Sequence, residues 1–381
     1  MAEKQTAYQF LTDLEKQGNQ FKVGYSDLWK YLDTKARENG IPLNGQLELT
    51  PLCNFDCKMC YTHLTREQLG NRQLLSVDQW KQIIREAWEA GMMAVNLTGG
   101  ECLTYPGFEE IYLYLHDLGC EIRVLSNGAL LNEKWIRFFQ EHKPSFLQMT
   151  LYGGNDDSYE RVTGRRVFST VRENIQSAIE AELPVALVIT PSKYLGEDVF
   201  ETIRAAKDTG APYTINSWLA EPKEETGRAH QEHDMGVEYY SRIYEFRNEL
   251  EGFETHPNDP EKLPPAGGPY HQCETRGLIC GAGRSCFTVE WDGRMLACND
   301  LRDHDGWPLE EGFLTVWKRL NEISNNWIRV PECIGCPYES VCTNCPVRKE
   351  RFAQPGKQPF ALCERTRYLV QRGVRSIPAC E

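Results

Sequence analysis

The sequence lacks long apolar runs and has no excess of basic residues. No stretch of its 381 residues approaches the roughly 18 consecutive apolar residues that cross a membrane. The first residues, MAEKQTAYQF, also lack the basic and then apolar segments of a secretory signal peptide. Lysine and arginine number 42 against 55 acidic residues, and the resulting net charge of −13 disfavours nonspecific nucleic-acid binding. We therefore expect a cytoplasmic protein with neither a membrane nor a nucleic acid as partner.

Cysteine is the residue type that this chain has in excess. Fifteen cysteines occur in a chain without an export signal, and in a reducing compartment such an excess favours metal or redox chemistry over disulfides. The cysteines are also clustered, because three lie within residues 53–60 and nine lie between residues 273 and 363. The sequence therefore predicts one cysteine site early in the chain and further sites late in it.

The early group consists of Cys53, Cys57 and Cys60, with three residues in the first gap and two in the second. Three thiols are one short of the four ligands of a structural zinc site, and His63 follows Cys60 too closely to complete one. A [4Fe-4S] cluster held by three thiolates leaves one iron open to a small molecule. The odd number of thiols therefore favours an iron–sulfur cluster with an open site.

Residues 46–220 alternate short β-rich runs with amphipathic helical patterns. The predicted strands are residues 46–49, 93–98, 121–126, 146–151, 185–190 and 213–218, and the predicted helices are residues 76–90, 108–118, 133–141, 170–181 and 198–209. Six strand–helix units predict a parallel sheet with outer helices, which right-handed crossovers roll into an open, partial barrel. Reactive groups of such sheets lie at the carboxyl ends of the strands.

Candidate binding motifs follow the predicted strands at these ends. After the first four strands come, in order, Cys53, Thr98-Gly99-Gly100-Glu101, Ser126-Asn127-Gly128 and Thr150-Leu151-Tyr152-Gly153. Glycines let a backbone approach a ligand closely, and a carboxylate is a suitable partner for an ammonium group. The sequence therefore predicts one ligand site at the carboxyl edge of the sheet.

The cysteine spacing and these motifs together resemble those of the radical S-adenosylmethionine (SAM) superfamily. The resemblance implies that Cys53, Cys57 and Cys60 hold a [4Fe-4S] cluster whose open iron binds SAM. It implies that one electron then cleaves SAM, and that the 5′-deoxyadenosyl radical removes a hydrogen atom from a substrate. The SAM contacts implied by resemblance are Met59, Gly99, Gly100, Glu101, Ser126, Asn127, Thr150 and Arg165. This chain departs from its relatives at Met59, where an aromatic residue is usual, and at Tyr152, where Asp is frequent.

The late cysteines resemble the SPASM extension found on peptide- and protein-modifying radical SAM enzymes. Eight of them suffice for two more [4Fe-4S] clusters, which makes three clusters in all. The resemblance implies one auxiliary cluster on Cys280, Cys286, Cys298 and Cys345, and another on Cys333, Cys336, Cys342 and Cys363. A zinc ribbon is the alternative, but it leaves four of these cysteines without a role.

The predicted fold class is α/β, a partial (β/α)6 TIM-like barrel followed by a small cysteine-rich α+β SPASM domain. The expected segments are an N-terminal helical cap at 1–45, the barrel at 46–220, a bridging region at 221–272 and the SPASM domain at 273–381. The bridging region contains one helical pattern near residues 237–250. Within the SPASM domain, Asp292-Gly293 predicts a β-hairpin.

Two residues are candidates for a catalytic role. Cys102 follows Glu101 and would donate a hydrogen atom to a substrate radical, although a small space-filling residue is an equally good interpretation. Asp300 lies two positions after Cys298, near the place where sulfatase maturases carry a catalytic Asp; Asn299 occupies that place here. Cys120 is expected to be structural, while Cys273 and Cys380 remain without a role.

The resemblance implies modification of a ribosomally made peptide by cross-linking, thioether formation or epimerisation. A separate leader-peptide-binding protein, and a flavodoxin or ferredoxin as electron donor, are the expected partners. The alternatives are a sulfatase maturase that forms formylglycine and an enzyme that oxidises a small molecule such as a tetrapyrrole. A noncatalytic electron carrier is disfavoured, because such a protein has no use for the Gly-Gly-Glu motif or an open iron.

Overall fold

The structure of the protein is a computed structural model. It describes residues 25–216, 219–220, 222–227, 235–254, 257–259, 263, 277–278, 280–328 and 360–374, together with 333, 336–338, 341–342, 345 and 347. The first 24 residues of the predicted helical cap, and also Cys273 and Cys380, lie outside these residues. Among the described residues, no helix is both long and apolar enough to span a membrane.

A parallel sheet of six strands forms the barrel. The strands are β1 (Asn44–Glu48), β2 (Ala94–Thr98), β3 (Glu121–Ser126), β4 (Phe146–Leu151), β5 (Val185–Ile189) and β6 (Tyr213–Ile215). Each strand pairs in parallel with the next one in the sequence, as the alternation of strand and helix patterns predicts. The α/β partial-barrel fold class is therefore confirmed. The sixth strand is shorter than predicted, because it ends at Ile215.

Helices precede and follow these strands along the chain. They are α1 (Tyr25–Asn39), α2 (Arg66–Leu69), α3 (Val77–Glu89), α4 (Phe108–Asp117), α5 (Glu133–Glu141), α6 (Asp156–Thr163), α7 (Phe168–Glu180) and α8 (Val199–Asp208). A capping box begins α3: the Gln79 N–H donates to Ser76 Oγ at 3.3 Å, and the Ser76 N–H donates to the side-chain oxygen of Gln79 at 2.9 Å. The sequence analysis did not predict α6, which is only eight residues long.

The core lies between this sheet and its helices. Trp80 and Ile84 of α3, Ile111 of α4 and Val124 of β3 are fully buried. Alternate residues of β4, among them Leu147 and Met149, are buried in the same way. Burial of these apolar side chains is the main stabilising contribution to the barrel.

A hairpin from the late cysteine region continues the barrel sheet. Strand β7 (Cys286–Val289) pairs in parallel with β1, and β8 (Met295–Leu296) and β9 (Asp305–Gly306) follow in antiparallel order. The hairpin predicted at Asp292-Gly293 is confirmed, and Gly293 has a positive φ of 98°. The nine strands run in the order β6-β5-β4-β3-β2-β1-β7-β8-β9. The barrel and the hairpin therefore share one sheet.

The remaining helices flank these units. They are α9 (Gly236–Glu251), α10 (Pro308–Glu311), α11 (Phe313–Asn326) and α12 (Phe360–Gln371). The predicted helical pattern of the bridging region corresponds to α9, which is held to the loop before α8 by a double Arg242–Glu197 bond. At the other end of the chain, α1 reaches the β7 hairpin through a 2.6 Å bond from Ser285 to Asp33. The four segment boundaries remain predictions.

Candidate active site

A cavity of about 330 Å³ lies at the carboxyl ends of the barrel strands. Its volume is within the range of small-molecule sites. Residues from every barrel strand, or from the loop that follows it, line the cavity: Cys53, Phe55, Cys57, Met59, Cys60, Tyr61, Thr62, His63, Thr98, Gly99, Gly100, Leu125, Ser126, Asn127, Gln148, Thr150, Tyr152, Val188, Thr190, Asn216, Leu219 and Ala220. The structure thus brings the three early cysteines together with six of the eight predicted SAM contacts.

The three cysteines lie on the loop between β1 and α2. Nitrogen donors surround two of their sulfurs: the Phe55 N–H lies 3.4 Å from Cys53 Sγ, and the His63 N–H lies 3.2 Å from Cys60 Sγ. The Asn127 amide is 3.6 Å from Cys53 Sγ. Burial, and then the charge of Glu101, raise the pKa of Cys53 to about 12. A thiolate at this position therefore needs a compensating positive charge.

These residues fit an iron–sulfur cluster. All three sulfurs belong to residues that line the same cavity, and hydrogen bonds to sulfur are one means by which proteins stabilise and tune such clusters. Within the described residues, no three His, Cys, Asp or Glu side chains surround a common position for a single metal ion. The ligands of a [4Fe-4S] cube bind different irons, so they are farther apart than the ligands of a single ion.

The two glycines after β2 let this loop lie against the cysteine loop. A Cβ at Gly99 would stand 2.4 Å from the backbone oxygen of Thr50, and one at Gly100 would stand 2.4 Å from that of Leu52. The Gly100 N–H donates to the backbone oxygen of Thr50 at 2.6 Å, three positions before the first cysteine. The glycines are therefore required by a close approach between two backbones, in addition to the predicted approach to a ligand.

Glu101 is buried beneath the cavity and is absent from its lining. Its carboxylate accepts bonds from Ser126 Oγ at 3.0 Å, the Asn127 N–H at 2.8 Å and the Leu103 N–H at 3.2 Å. Burial raises its pKa, although these donors oppose the shift. In this structure Glu101 therefore holds the end of β3 in place, and its contact with the SAM amino group stays a prediction.

The end of β4 supplies another part of the cavity wall. Thr150 and Tyr152 both line the cavity, and the Tyr152 ring packs edge-on against Phe55 and Tyr159. Relatives often carry Asp at this position. Tyr152 places an aromatic ring in the cavity wall there. The hydroxyl group of Thr150 is available for the predicted contact with the SAM carboxylate.

The structure places three other predicted residues away from the cavity lining. Arg165 is exposed after α6. Cys102 is fully buried, and its thiol donates to Leu125 O at 3.3 Å, an environment that suits the space-filling interpretation. Asp300 lies in the turn after Cys298. Burial, and next to it the charge of Asp300, raise the pKa of Cys298 to about 12. Their functional assignments stay predictions.

The sequence analysis did not identify several polar residues of the cavity. Gln148 lies two positions before Thr150 on β4, Thr190 follows β5, and Asn216 follows β6. The rule that places functional groups at the carboxyl ends of strands, together with the two-residue period of a strand, was sufficient to find them. His63 is also buried in the wall, with Nδ1 3.4 Å from Asp56.

Four late cysteines are neighbours around the β7 hairpin. Burial and the charge of Asp300 are the larger causes that raise the pKa of Cys298, and the charges of Cys345 and Cys280 raise it further. Burial is the largest cause that raises the pKa of Cys286, and the charge of Cys280 adds to it. This proximity supports the set that the resemblance assigns to the first auxiliary cluster. In the other set, Cys342 lies 3.8 Å from the Thr366 hydroxyl, which is on the same helix as Cys363.

The comparison with protein families matches residues 47–206 to the Radical SAM superfamily. Among curated proteins, the AdoMet-dependent heme synthase of Methanosarcina barkeri is 25% identical over 83% of this chain and 95% of its own length. Two Bacillus subtilis proteins are also similar. The sporulation killing factor maturation protein SkfB is 24% identical over 45% of this chain, and the subtilosin biosynthesis protein AlbA is 22% identical over 69%. The matches span 41% and 56% of the lengths of these two relatives.

Two solved structures share the overall fold. Streptococcus suis SuiB bound to its precursor peptide SuiA superposes with a TM-score of 0.66, at 16% identity, over 93% of this chain and 87% of SuiB. AdoMet-bound anSMEcpe gives a TM-score of 0.64, at 13% identity, over 87% of this chain and 96% of that protein. These likenesses agree with the barrel and the hairpin described above.

Proposed function

We propose that this chain, as a radical SAM enzyme, modifies a ribosomally synthesised peptide by cross-linking, thioether formation or epimerisation. The observation that carries the proposal is a contact between the cavity and the late cysteine region. Tyr61 lines the cavity, and its hydroxyl accepts a 3.2 Å bond from Asn299, the residue after Cys298. A substrate in the cavity therefore lies close to the auxiliary loop. Similarity to a sporulation killing factor maturation protein and to a bacteriocin biosynthesis protein supports a peptide as the substrate.

The residues of the cavity have separate roles in this proposal. Cys53, Cys57 and Cys60 would hold a [4Fe-4S] cluster, and SAM bound to it would supply 5′-deoxyadenosyl radical chemistry on one-electron reduction. Gly99 and Gly100 keep the β2 loop close to the cluster loop. Apolar side chains such as Leu125 and Val188 exclude water from the cavity, which protects a reactive intermediate.

The late cysteines complete the proposed cofactor set. The two sets of four late cysteines that the resemblance implies would hold two auxiliary [4Fe-4S] clusters, which would supply the capacity to accept or relay an electron from the substrate. A flavodoxin or ferredoxin supplies the initiating electron in the cytoplasm. A separate leader-binding protein presents the peptide. Each of these partners belongs to the proposal.

A second candidate substrate is a tetrapyrrole. The heme synthase match favours it, because that match extends over 95% of the relative's length. The sulfatase-maturase alternative has a weaker basis in this chain. Asn299, an amide, stands where that class has a catalytic Asp, and an amide does not act as a general base.

Anaerobic reconstitution with iron and sulfide, followed by addition of dithionite and SAM, tests the radical SAM chemistry. We expect release of 5′-deoxyadenosine, measured by liquid chromatography and mass spectrometry. Cys57→Ala is expected to abolish the release, because it removes a cluster ligand. Cys120→Ala is the control for loss of a cysteine outside the predicted ligand sets, and it is expected to retain the release.

The substrate class is tested with the same reconstituted enzyme. Short cysteine-containing peptides encoded beside the gene are one set of substrates, and an iron tetrapyrrole is the other. A mass change in a peptide that requires SAM supports the proposal. Conversion of the tetrapyrrole alone, with every peptide unchanged, would replace it with the second candidate.

A further inference from the structure

Four charged side chains form a buried network between the barrel and the β7 hairpin. Glu48 is fully buried at the end of β1, and Lys223 and Glu290 are each 2% exposed. Lys223 Nζ lies 2.5 Å from Glu48 Oε2 and 2.7 Å from Glu290 Oε1. Arg302 donates to both carboxylate oxygens of Glu290 through its two terminal guanidinium nitrogens, at 2.6 and 3.1 Å. Two positive charges therefore balance two negative ones.

The network also holds Tyr61 at the cavity wall. The Tyr61 hydroxyl donates to Glu48 Oε1 at 3.1 Å, and the Lys223 N–H donates to Tyr61 O at 2.9 Å. The Lys223 ammonium lies 5.8 Å from the centre of the Tyr61 ring. Asn299 donates to the same hydroxyl from the hairpin side. Tyr61 is thus fixed at its backbone, its ring and its hydroxyl.

Stability alone is a weak reason for such an arrangement. Removing several ions from water costs free energy, and well-packed apolar residues in the same place often give equal or greater stability. Burial by itself would lower the pKa of Lys223, but the charges of Glu48 and Glu290 outweigh it and raise the pKa. Lys223 therefore stays an ammonium, with its bonds directed at the two carboxylates of Glu48 and Glu290.

We propose that Lys223 is a positioning residue that sets the place of Tyr61, and hence of the adjacent ligand Cys60, relative to the auxiliary loop at Asn299. The three elements that it joins are the end of β1, the cluster loop and the hairpin. Lys223 is central because it contacts all three, through Glu48, Tyr61 and Glu290. This role rests on the SAM-binding cluster of the proposed function, but it is independent of the substrate that the enzyme modifies.

The test uses the reconstituted full chain and a spectroscopic readout. Electron paramagnetic resonance of the reduced enzyme is recorded with and without SAM, because only the cluster that binds SAM changes its spectrum directly. For Lys223→Met we expect an altered SAM-induced shift and about tenfold weaker SAM binding, with a full complement of iron. Lys134→Met is the matched control, since Lys134 forms an exposed ion pair with Glu109 at 3.1 Å. It is expected to behave as the unmodified chain.

Two further variants separate positioning from folding. Lys223→Met leaves a buried carboxylate uncompensated and is expected to lower the melting temperature by about 5–10 °C. Adding Glu48→Gln restores the charge balance, so the melting temperature is expected to recover while the altered spectrum persists. Tyr61→Phe loses both hydroxyl bonds and is expected to alter the spectrum in the same direction.

Two outcomes would overturn the inference. In one, Lys223→Met lowers the melting temperature but leaves the SAM-induced shift unchanged. In the other, the double variant recovers the spectrum together with the melting temperature, so that Lys223 serves only to balance charge. Neither outcome depends on a peptide substrate, so the positioning role and the proposed function fail separately.

Discussion

At the scale of single residues, the glycines of the β2 loop show how backbone packing forms the site. Gly99 has a φ of +147°, in a region that side chains disfavour, and it also lies against Thr50. Gly100 lies equally close to Leu52 without a positive φ. Gly119 is the reverse of Gly100: its φ is positive, at +74°, but a Cβ there would have no atom within 4 Å. The three positions therefore separate strain from steric clash.

Alanine at each of these glycines is expected to destabilise the protein by a different amount. Gly119→Ala adds strain only and is expected to cost about 1–2 kcal/mol. Gly100→Ala adds a clash only, at about 1–3 kcal/mol, and Gly99→Ala adds both, at about 3–4 kcal/mol. Urea unfolding measures the three values. Equal losses at all three positions would contradict the assignment of the two causes.

Cys120 offers a pH-dependent prediction at the same scale. It is half-buried before β3, and burial raises its pKa to about 11. Because the thiolate is the reactive form, the thiol is expected to react with iodoacetamide at pH 8 about 100-fold more slowly than in the unfolded chain. The rate should rise about tenfold per pH unit up to pH 11. Mass spectrometry of the peptide containing Cys120 measures it, and equal rates in folded and urea-unfolded protein would refute the shift.

At the scale of elements, the pairing of β7 with β1 joins the late cysteine region to the barrel. Phe287 of β7 is 2% exposed and packs edge-on against Phe313 and Trp317 of α11. A Cβ at Gly45 of β1 would stand 2.8 Å from the Phe287 ring, so a glycine is needed opposite it. The aromatic ring therefore connects one barrel strand with the outer helix of the hairpin.

Removal of this ring is expected to weaken both units together. Phe287→Ala should cost about 3–5 kcal/mol, because it leaves a cavity between β1 and α11. Hydrogen exchange is expected to rise in β1 as well as in β7, since the strands share hydrogen bonds. Phe253→Ala is the control, because Phe253 is 61% exposed, and it should change stability by less than about 0.5 kcal/mol. Faster exchange confined to β7 would argue against a shared unit.

At the scale of the whole molecule, the predicted cluster ligands form one group on the barrel and two sets in the late cysteine region. The resemblance implies that these two sets alternate along the sequence. If three [4Fe-4S] clusters form, reconstituted protein should contain about twelve irons. Cys298→Ala and Cys345→Ala should then each reduce the content to about eight irons, because both remove a ligand of the same cluster. The double variant should retain about eight as well.

Iron analysis of these variants tests the predicted ligand sets. Adding Cys336→Ala to the double variant should reduce the iron content further, to about four, since that cysteine belongs to the other set. A double variant of Cys298 and Cys345 that already loses about eight irons would show that these residues serve different clusters. A colourless protein that contains zinc would contradict all three clusters.

Much of this molecule follows from the sequence by itself. The two-residue and helical periodicities placed six barrel strands and five of their helices, because each such element buries one face. Ser76 and Asp292-Gly293 marked a helix start and a hairpin, since capping and turn formation depend on neighbouring residues. The odd number of early thiols pointed to a cluster with an open iron. All of these inferences rest on local patterns.

Only the tertiary structure decided which distant residues meet. Pairing of β7 beside β1 depends on two strands that are far apart in the sequence, and no local period encodes such a pairing. Lys223 and Glu48 are separated by 175 positions, so the charge-rich segment around Lys223 suggested a loop, whereas its ammonium is buried between two carboxylates. Burial of a charge is stable only when its partners are brought to it. That condition is met by the folded sheet and hairpin, and the sequence alone does not reveal it.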